Sequence, residues 1–184
     1  PRAPVPDMRV LILPQGARCG GSVELRGPDY HYLVHVLRLE RGERLRAGDG
    51  RGGLWECRIA EVGPDRLRLD VESAIEEPAP SPAIRLIQAL PKGRKMDLIV
   101  RGATEGGITV LEPVFSRHSL AKVGDPLELE RKVERWRRIA REAAQQSGGS
   151  RLPAVLEPVD LERALEREPE AGEVRLIFHQ DRLG

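Results

Sequence analysis

A run of three prolines in five residues divides this chain of 184 residues into two parts. The segment Glu76-Glu77-Pro78-Ala79-Pro80-Ser81-Pro82 cannot lie inside a helix or a central strand, because proline has no backbone N–H and a fixed φ. Proline-rich stretches also stiffen linkers. We therefore predict a first domain over residues 8–76, a linker over 77–82 and a second domain over 83–184.

The part before the linker carries short strand patterns with one helix among them. Strands are predicted at residues 9–13, 43–47, 54–60 and 66–73. In the last of these, Leu67, Leu69 and Val71 alternate with charged residues, as in a strand with one wet face. A helix is predicted at 29–39, with Leu33, Val36 and Leu37 on one apolar face. This pattern suggests a small closed β-barrel.

After the linker, strand and helix patterns alternate, which favours an α/β fold with parallel strands. Strands are predicted at residues 84–90, 108–114, 153–156 and 174–178, and helices at 95–105, 129–146 and 160–168. Ligands of such sheets bind beyond the carboxyl ends of the strands. Because the last predicted strand is followed only by a few residues, we expect this domain to be incomplete in the chain as written.

Composition narrows the class of protein. No apolar run approaches the roughly 20 residues needed to cross a bilayer. Cys19 and Cys57 lack metal-ligand spacing, which predicts two reduced core thiols and a cytoplasmic location. The net charge is only +1, yet residues 85–141 hold 13 basic and 7 acidic residues. Such a basic region attracts phosphates, although a solvated charged face is the simpler interpretation.

The usual catalytic and metal-binding patterns do not occur. The four histidines are too scattered for a metal site, so no metal is predicted. Two local segments remain. Lys92-Gly93-Arg94-Lys95-Met96 is a basic loop that leaves a strand and opens a helix, where a phosphate can bind, or else a solvated loop. The segment 145–151 follows a helix and is either an RNA contact or an ordinary helix end.

The order of several motifs resembles the RsmE family of bacterial RNA methyltransferases. The shared motifs, which cover nearly all of residues 8–180, are Met8-Arg9, Val36-Leu37-Arg38-Leu39 with Gly42, Leu86-Ile87-Gln88-Ala89-Leu90-Pro91-Lys92-Gly93 with Lys95-Met96, Ala103-Thr104-Glu105-Gly106-Gly107-Ile108 with Pro113, and Arg135-Trp136 with Glu142-Ala143-Ala144, Gln146-Ser147-Gly148 and Pro153.

The resemblance implies a PUA-like β-barrel that grips RNA, followed by an α/β SPOUT methyltransferase domain with a trefoil knot. Such enzymes are homodimers that use S-adenosylmethionine to methylate N3 of one uridine in 16S ribosomal RNA of the small subunit. The family's Gly-Pro-Glu-Gly-Gly and Leu-Arg-x-Glu-Thr-Ala donor motifs do not occur in this chain. We therefore expect the 184-residue form to be inactive and the gene to continue past Gly184.

The resemblance also assigns candidate residues. RNA contact is expected of Arg9, Arg38, Lys92, Lys95 and Arg117, and contact with the uridine or an interface of Gln146 and Ser147. Phe178 and His179 are candidates for the wall of the donor site. No residue stands out as the general base. His118 and Gly149 depart from the family pattern, which usually has Arg at both positions. The alternative is a non-catalytic RNA-binding or dimerisation protein.

Overall fold

The computed structural model describes residues 10–14, 19–76, 82–117 and 125–178. They form two sheets, one in each part of the chain, and the predicted α/β class is confirmed. Arg9, His118 and His179 lie outside the described residues, as does nearly all of the linker predicted at 77–82.

The first sheet is curled into a half-barrel of five strands. Its strands are β1 (Leu11–Ile12), β2 (Ser22–Arg26), β3 (Arg44–Gly48), β4 (Leu54–Val62) and β5 (Arg66–Ala74). Their order is β1-β3-β4-β5-β2, antiparallel except for β1 beside β3. The predicted alternation in β5 is confirmed, since Leu67 and Leu69 are fully buried. Among the described strands, β1 and β2 lie at the two edges of the sheet, and no pairing between them closes the barrel.

The sequence pattern did not predict β2. Its residues alternate, with Val23 and Leu25 towards the core and Ser22, Glu24 and Arg26 exposed, but the pattern is only five residues long. It pairs antiparallel with β5 along its whole length, from Ser22 beside Asp70 to Arg26 beside Arg66. The short alternation and the pairing with β5 together make this segment a strand.

The helix predicted at 29–39 exists, but half of it is not α-helical. Helix α1 (Gly27–His31) has Pro28 in its first turn and runs directly into a π-helical turn, Tyr32–Val36. The N–H of Leu37 donates to the carbonyl of Tyr32, five residues back. The wider turn rotates later residues out of α-helical phase, so Val36 is 54% exposed. Its predicted place on the apolar face with Leu33 is wrong.

The second sheet is wholly parallel, as predicted. It contains β6 (Arg85–Ala89), β7 (Val110–Phe115), β8 (Ala154–Val155) and β9 (Val159–Asp160), with β7 beside each of the other three. Helices α2 (Lys95–Glu105) and α3 (Pro126–Ser147) cover one face. Helix α3 begins three residues before the prediction, and Gly148 ends it in the left-handed conformation with φ 81°.

The region after β9 departs from the prediction. Helix α4 (Leu161–Leu165) is shorter than expected, and the Asp160 side chain makes no capping hydrogen bond. The strand predicted at 174–178 is wrong, because this segment has no strand structure and its four large apolar side chains are exposed. An apolar run forms a strand only where a neighbouring backbone pairs with it, and none of the described strands does so.

The two sheets are joined through the end of α3. The Arg141 guanidinium donates to the carbonyl of Ile12 in β1, and the N–H of Val10 donates to Gln145 at 3.3 Å. The N–H of Leu152 donates to Gly50 at 2.8 Å, in the loop between β3 and β4. A small apolar cluster of Val10, Ile12 and Leu54, with Leu152 packed against it, completes the junction.

The cysteine prediction holds for one residue only. Both thiols are free, and Cys57 is fully buried in the first core, where burial raises its pKa to about 11. Cys19 is exposed, so its predicted place in the core is wrong. Among the described residues no helix combines the length and apolarity that a membrane span requires.

Candidate functional site

A cleft of about 390 Å³ opens beyond the carboxyl ends of β6 and β7. The loop Leu90–Arg94 follows β6 directly and forms one side, and the first turns of α3 form the other. This is the position at which an open parallel sheet binds its ligands. The predicted basic loop therefore lies at a cleft and not on a featureless surface.

The apolar part of the cleft comes from the core beneath it. Trp136 on α3 and Met96 on α2 are both nearly buried and present only an edge to the cleft. Phe115, the last residue of β7, is half-buried beside them. The wall so formed suits the face of a planar ring.

The polar part of the cleft contains groups of both signs. Its basic side chains are Lys92, Arg94, Lys132 and Arg135, and its acidic side chains are Asp97, Asp125 and Glu128.

Most of these charges are already paired. The Lys132 ammonium lies 2.7 Å from Glu128, where it lowers the pKa of that carboxyl, and the Arg135 guanidinium pairs with Asp97. The Asp125 carboxylate caps α3 by accepting from the N–H of Leu127.

Two cations of the cleft remain without an acidic partner. Within the described parts of the chain, no carboxylate pairs with Lys92 or Arg94, and both side chains are exposed. Gly93 between them has φ +66°, a conformation that favours glycine and turns the loop back towards α2. Unpaired cations above an apolar wall can hold a phosphate group.

Lys95 and Arg117 lie near the same edge of the sheet. Ala89 of β6 pairs with Val114 of β7. Lys92 lies three residues after Ala89, and Arg117 lies three residues after Val114. Lys95 is the first residue of α2 and is exposed, although its side chain does not line the cleft. The structure thus brings three of the predicted RNA contacts to one edge.

Gln146 and Ser147 lie elsewhere. They form the last turn of α3, and Lys132 at the cleft is 14 residues away, a distance of about 21 Å along a helix. Gln146 is exposed, and the Ser147 hydroxyl donates to the carbonyl of Ala144 at 3.2 Å. Both residues sit at the junction between the sheets, and their contact with a uridine or an interface stays a prediction.

Arg38 belongs to the first sheet's surface. It follows the π-helical turn, is exposed and has φ 55°. The structure does not place it at the cleft, because none of the cleft residues comes from the first part of the chain. Arg9 lies outside the described residues.

Phe178 does not form part of a pocket. Its side chain is 94% exposed at the end of the described chain, and His179 lies outside the described residues. The described residues do not by themselves fit a methyl donor, because no wall closes around Phe178. No described group of three or more His, Cys, Asp or Glu side chains could hold a metal ion.

Sequence reasoning missed a buried ion pair inside the second sheet. The Arg85 guanidinium donates to one Glu112 oxygen through Nε at 2.9 Å and Nη2 at 2.5 Å. Glu112 is 6% exposed and faces away from α2 and α3, since its neighbour Leu111 packs in that core. An acidic residue within the apolar run of β7 was the available signal, because a buried carboxylate requires a partner.

A curled antiparallel sheet joined to a wholly parallel sheet, with a cleft beyond the carboxyl ends of the parallel strands, defines a two-part α/β protein. The chain matches the RNA methyltransferase PUA domain over residues 25–72 and the RNA methyltransferase domain over residues 77–183.

Relatives with curated names agree. A "Ribosomal RNA small subunit methyltransferase E" of Synechocystis is 35% identical over 161 residues, which are 86% of this chain and 50% of that protein. The protein of the same name from Mycobacterium bovis is 30% identical over 88% of this chain and 63% of its own length.

A solved structure agrees as well. The crystal structure of the protein of that name from Neisseria gonorrhoeae, bound to S-adenosyl methionine, superposes with a TM-score of 0.78 at 27% identity. The match covers 88% of this chain and 66% of the other.

The chain belongs to the RsmE family of RNA methyltransferases. The expected architecture, a PUA-like β-domain followed by a SPOUT-class α/β domain, is confirmed by the same matches, and the described strands of the first domain form a half-barrel. The chain spans about half the length of one curated relative and less than two thirds of another.

Proposed function

We propose that this chain is the RNA-holding part of an S-adenosylmethionine-dependent enzyme that methylates N3 of a uridine in 16S ribosomal RNA. Family membership supports the methyltransferase activity, and the names of the relatives support the small-subunit RNA as substrate. The observation that carries the proposal is the cleft at the carboxyl ends of β6 and β7, where no carboxylate of the described residues pairs with Lys92 or Arg94.

The chemistry gives these cations a role. Methylation of N3 requires loss of the N3 proton, which leaves negative charge on the uracil ring. That charge would be consumed as N3 bonds to the methyl carbon and the sulfonium S–C bond breaks to leave a neutral thioether. S-adenosylmethionine supplies the methyl group from its sulfonium. Cations beside the cleft would hold the RNA phosphates and lower the energy of the developing uridinate. We assign no general base among the described residues.

A non-catalytic RNA-binding or dimerisation protein is the alternative. It shares the RNA-holding surfaces and differs only in lacking a donor site. The exposed position of Phe178 is compatible with it. The family match over residues 77–183 favours the enzyme.

The resemblance also implies two copies of the chain in the working enzyme, and we include the homodimer in the proposal. Sedimentation velocity at micromolar concentration would measure it, and a purely monomeric boundary for the longest gene product would contradict it. We place the protein in the cytoplasm, where ribosomal RNA is its substrate.

RNA binding at the cleft has a direct test. In the double variant Lys92→Ala and Arg94→Ala, affinity for an oligonucleotide from small-subunit RNA should fall, with the salt slope reduced by about 2. Fluorescence anisotropy at several salt concentrations between about 50 and 200 mM measures the affinity and the salt slope. Lys132→Ala is the matched control, because its ammonium is already paired with Glu128. A double variant that binds like the unaltered chain at every salt concentration would contradict the proposal.

The donor half of the proposal is tested by calorimetry. We expect no heat of binding when S-adenosylmethionine is titrated into the 184-residue chain, and saturable binding with the longest gene product. Micromolar binding to the 184-residue chain would show that the donor site is placed wrongly. Absence of binding to the longest product would favour the non-catalytic alternative.

A further inference from the structure

Arg141 of α3 joins three elements at the junction between the two sheets. Its guanidinium donates to the carbonyl of Ile12 in β1 and lies 3.5 Å from the Asp29 carboxylate of α1. These partners belong to the first part of the chain and precede Arg141 by 129 and 112 residues. One side chain of the second part therefore holds two elements of the first part.

The rest of the junction is small. Backbone hydrogen bonds cross it, among them the bond from the N–H of Gly52 to the carbonyl of Ser150 at 3.3 Å. Its apolar part is the small cluster around Ile12. Two parts of a chain that share a small interface are expected to move relative to each other. We therefore expect their orientation to depend on the bonds that Arg141 makes.

The backbone beside this contact is closely packed. Gly48 ends β3, and a Cβ placed on it would lie 3.2 Å from the Cα of Ser150 and 3.2 Å from the carbonyl oxygen of Gly53. These distances are shorter than Cβ atoms normally make to their neighbours, so the backbone on one side would have to shift. A side chain at Gly48 therefore displaces the junction without removing any charge.

Helix α3 connects the junction to the cleft. Lys132 and Trp136 of α3 line the cleft, and Trp136 precedes Arg141 by five residues, which is about 8 Å along a helix. The Arg135 guanidinium pairs with Asp97 of α2, which also holds α3 to the helix that follows the basic loop. A rotation of the first sheet about the end of α3 is therefore a rotation relative to the cleft.

We propose that Arg141 is a positioning residue, which fixes the first sheet on α3 so that the two parts of the chain hold one RNA strand together. The inference rests on the proposed function and adds to it the residue that sets the geometry between the two parts. Two surfaces that bind one ligand strengthen each other only when their geometry allows both to be occupied at once. Arg141 does not itself contact the RNA, because its guanidinium is occupied by Ile12 and Asp29.

The geometry is measured by double electron–electron resonance between two nitroxide labels. One label attaches to Cys19, which is exposed on the first part, and the other to the exposed position of α3 altered in Glu130→Cys. Cys57 is buried and does not react. Dilution with unlabelled chain leaves only distances within one molecule. The chain with its junction intact should give one narrow distance distribution, and Arg141→Met should give a broader one.

Arg138→Met is the matched control for the distance measurement. Arg138 is an exposed cation of the same helix, and its carboxylate partner Glu142, at 3.9 Å, lies on that helix as well. Its removal should leave the distance distribution unchanged. An unchanged distribution in Arg141→Met would overturn the positioning role.

RNA affinity tests the consequence of this geometry. Arg141→Met should bind an oligonucleotide of about 16 nucleotides at least about tenfold more weakly, while one of about five nucleotides, too short to reach both parts, should bind as before. The salt slope should stay the same, because no phosphate contact is lost. Gly48→Ala keeps every charge and should show the same selective loss.

The alternatives give different results. A salt slope lower by about 1 in Arg141→Met would make Arg141 a phosphate contact, and equal losses with both oligonucleotides would indicate general destabilisation. Either result contradicts the proposal. If the unaltered chain binds neither oligonucleotide, the proposed function fails, and the distance measurement alone decides whether Arg141 fixes the first sheet.

Discussion

The two sheets use their charged residues in different ways. On the outer face of the first sheet, the Arg58 guanidinium lies 2.6 Å from Glu72 and 3.1 Å from Asp70, and Arg44 lies 3.0 Å from Glu72. The two arginines lower the pKa of the Glu72 carboxyl. At the cleft of the second sheet, Lys92 and Arg94 have no such partner among the described residues. The number of charged residues does not show whether a cation stabilises a strand or is available to a ligand. Its ion pairing does.

The two parts of the chain differ in how their apolar segments are buried as well. The strand pattern of β5 is buried completely, with Leu67 and Leu69 at 0% exposure. The similar pattern at 174–178 is uncovered, and Leu176 is 75% exposed. A strand pattern therefore shows that a segment is able to form a strand. Whether the segment is buried depends on a neighbouring backbone that pairs with it.

The largest expected effect tests the difference in burial between Leu69 and Leu176. Leu69→Ala removes a fully buried side chain and should lower the free energy of unfolding by about 3 kcal/mol. Leu176→Ala makes the same chemical change on an exposed side chain and should shift it by less than about 0.5 kcal/mol. Urea denaturation followed by circular dichroism measures both values.

The pair of leucine variants has a clear failing outcome. If Leu176→Ala destabilises the chain as much as Leu69→Ala, the segment 174–178 is buried in solution and the contrast between the two sheets is wrong. A change in the denaturant slope would instead point to altered compactness, so that slope is compared as well.

The next effect sharpens the comparison of charges. Glu112→Gln removes the partner of Arg85 inside the second sheet and should cost about 2 kcal/mol, because a guanidinium that is mostly buried loses its charge partner. Glu134→Gln breaks an exposed pair with Arg137 and should cost about 0.3 kcal/mol. Equal losses in thermal unfolding would show that Glu112 is no more buried in solution than Glu134.

Much of the fold follows from sequence periodicity. Helix α2 has the predicted bounds, and β3 to β8 lie within a few residues of their predicted positions. These segments succeed because each has a strong local pattern: alternation in β5, apolar runs in β6 and β7, and glycines that end α2 and α3.

The rest depends on contacts between distant residues. The π-helical turn at Tyr32–Val36 and the positive φ of Arg38 have no sequence signature, because backbone strain is set by surrounding packing. Strand β2 exists through its pairing with β5. The cleft could be placed from the sequence only as a basic loop. Its wall residue Trp136 and the acids Asp125 and Glu128 come from the start of α3 and its N-cap, more than 30 residues after Lys92.

The smallest expected effect concerns the segment after α4, where Glu173 joins two arginines. Its carboxylate accepts from the N–H of Glu170 at 3.0 Å and lies 2.7 Å from Arg167 and 2.9 Å from Arg175. The N–H of Glu170, helped by the two guanidinium groups, lowers the pKa of Glu173 to about 2. A carboxyl whose pKa is lower in the folded chain stabilises that chain above its ordinary pKa, and this contribution disappears as the pH falls towards about 2.

Glu173→Gln should therefore lower the melting temperature slightly at neutral pH, and the difference from the unaltered chain should vanish between pH 4.5 and about 2. Glu166→Gln changes an exposed carboxyl of the same segment and is the matched control. Differential scanning calorimetry across this range measures the difference. A gap that stays constant down to pH 2 would mean that Glu173 is not held by its arginines in solution, and that the segment leading to Leu176 is less ordered than the cluster around Glu173 implies.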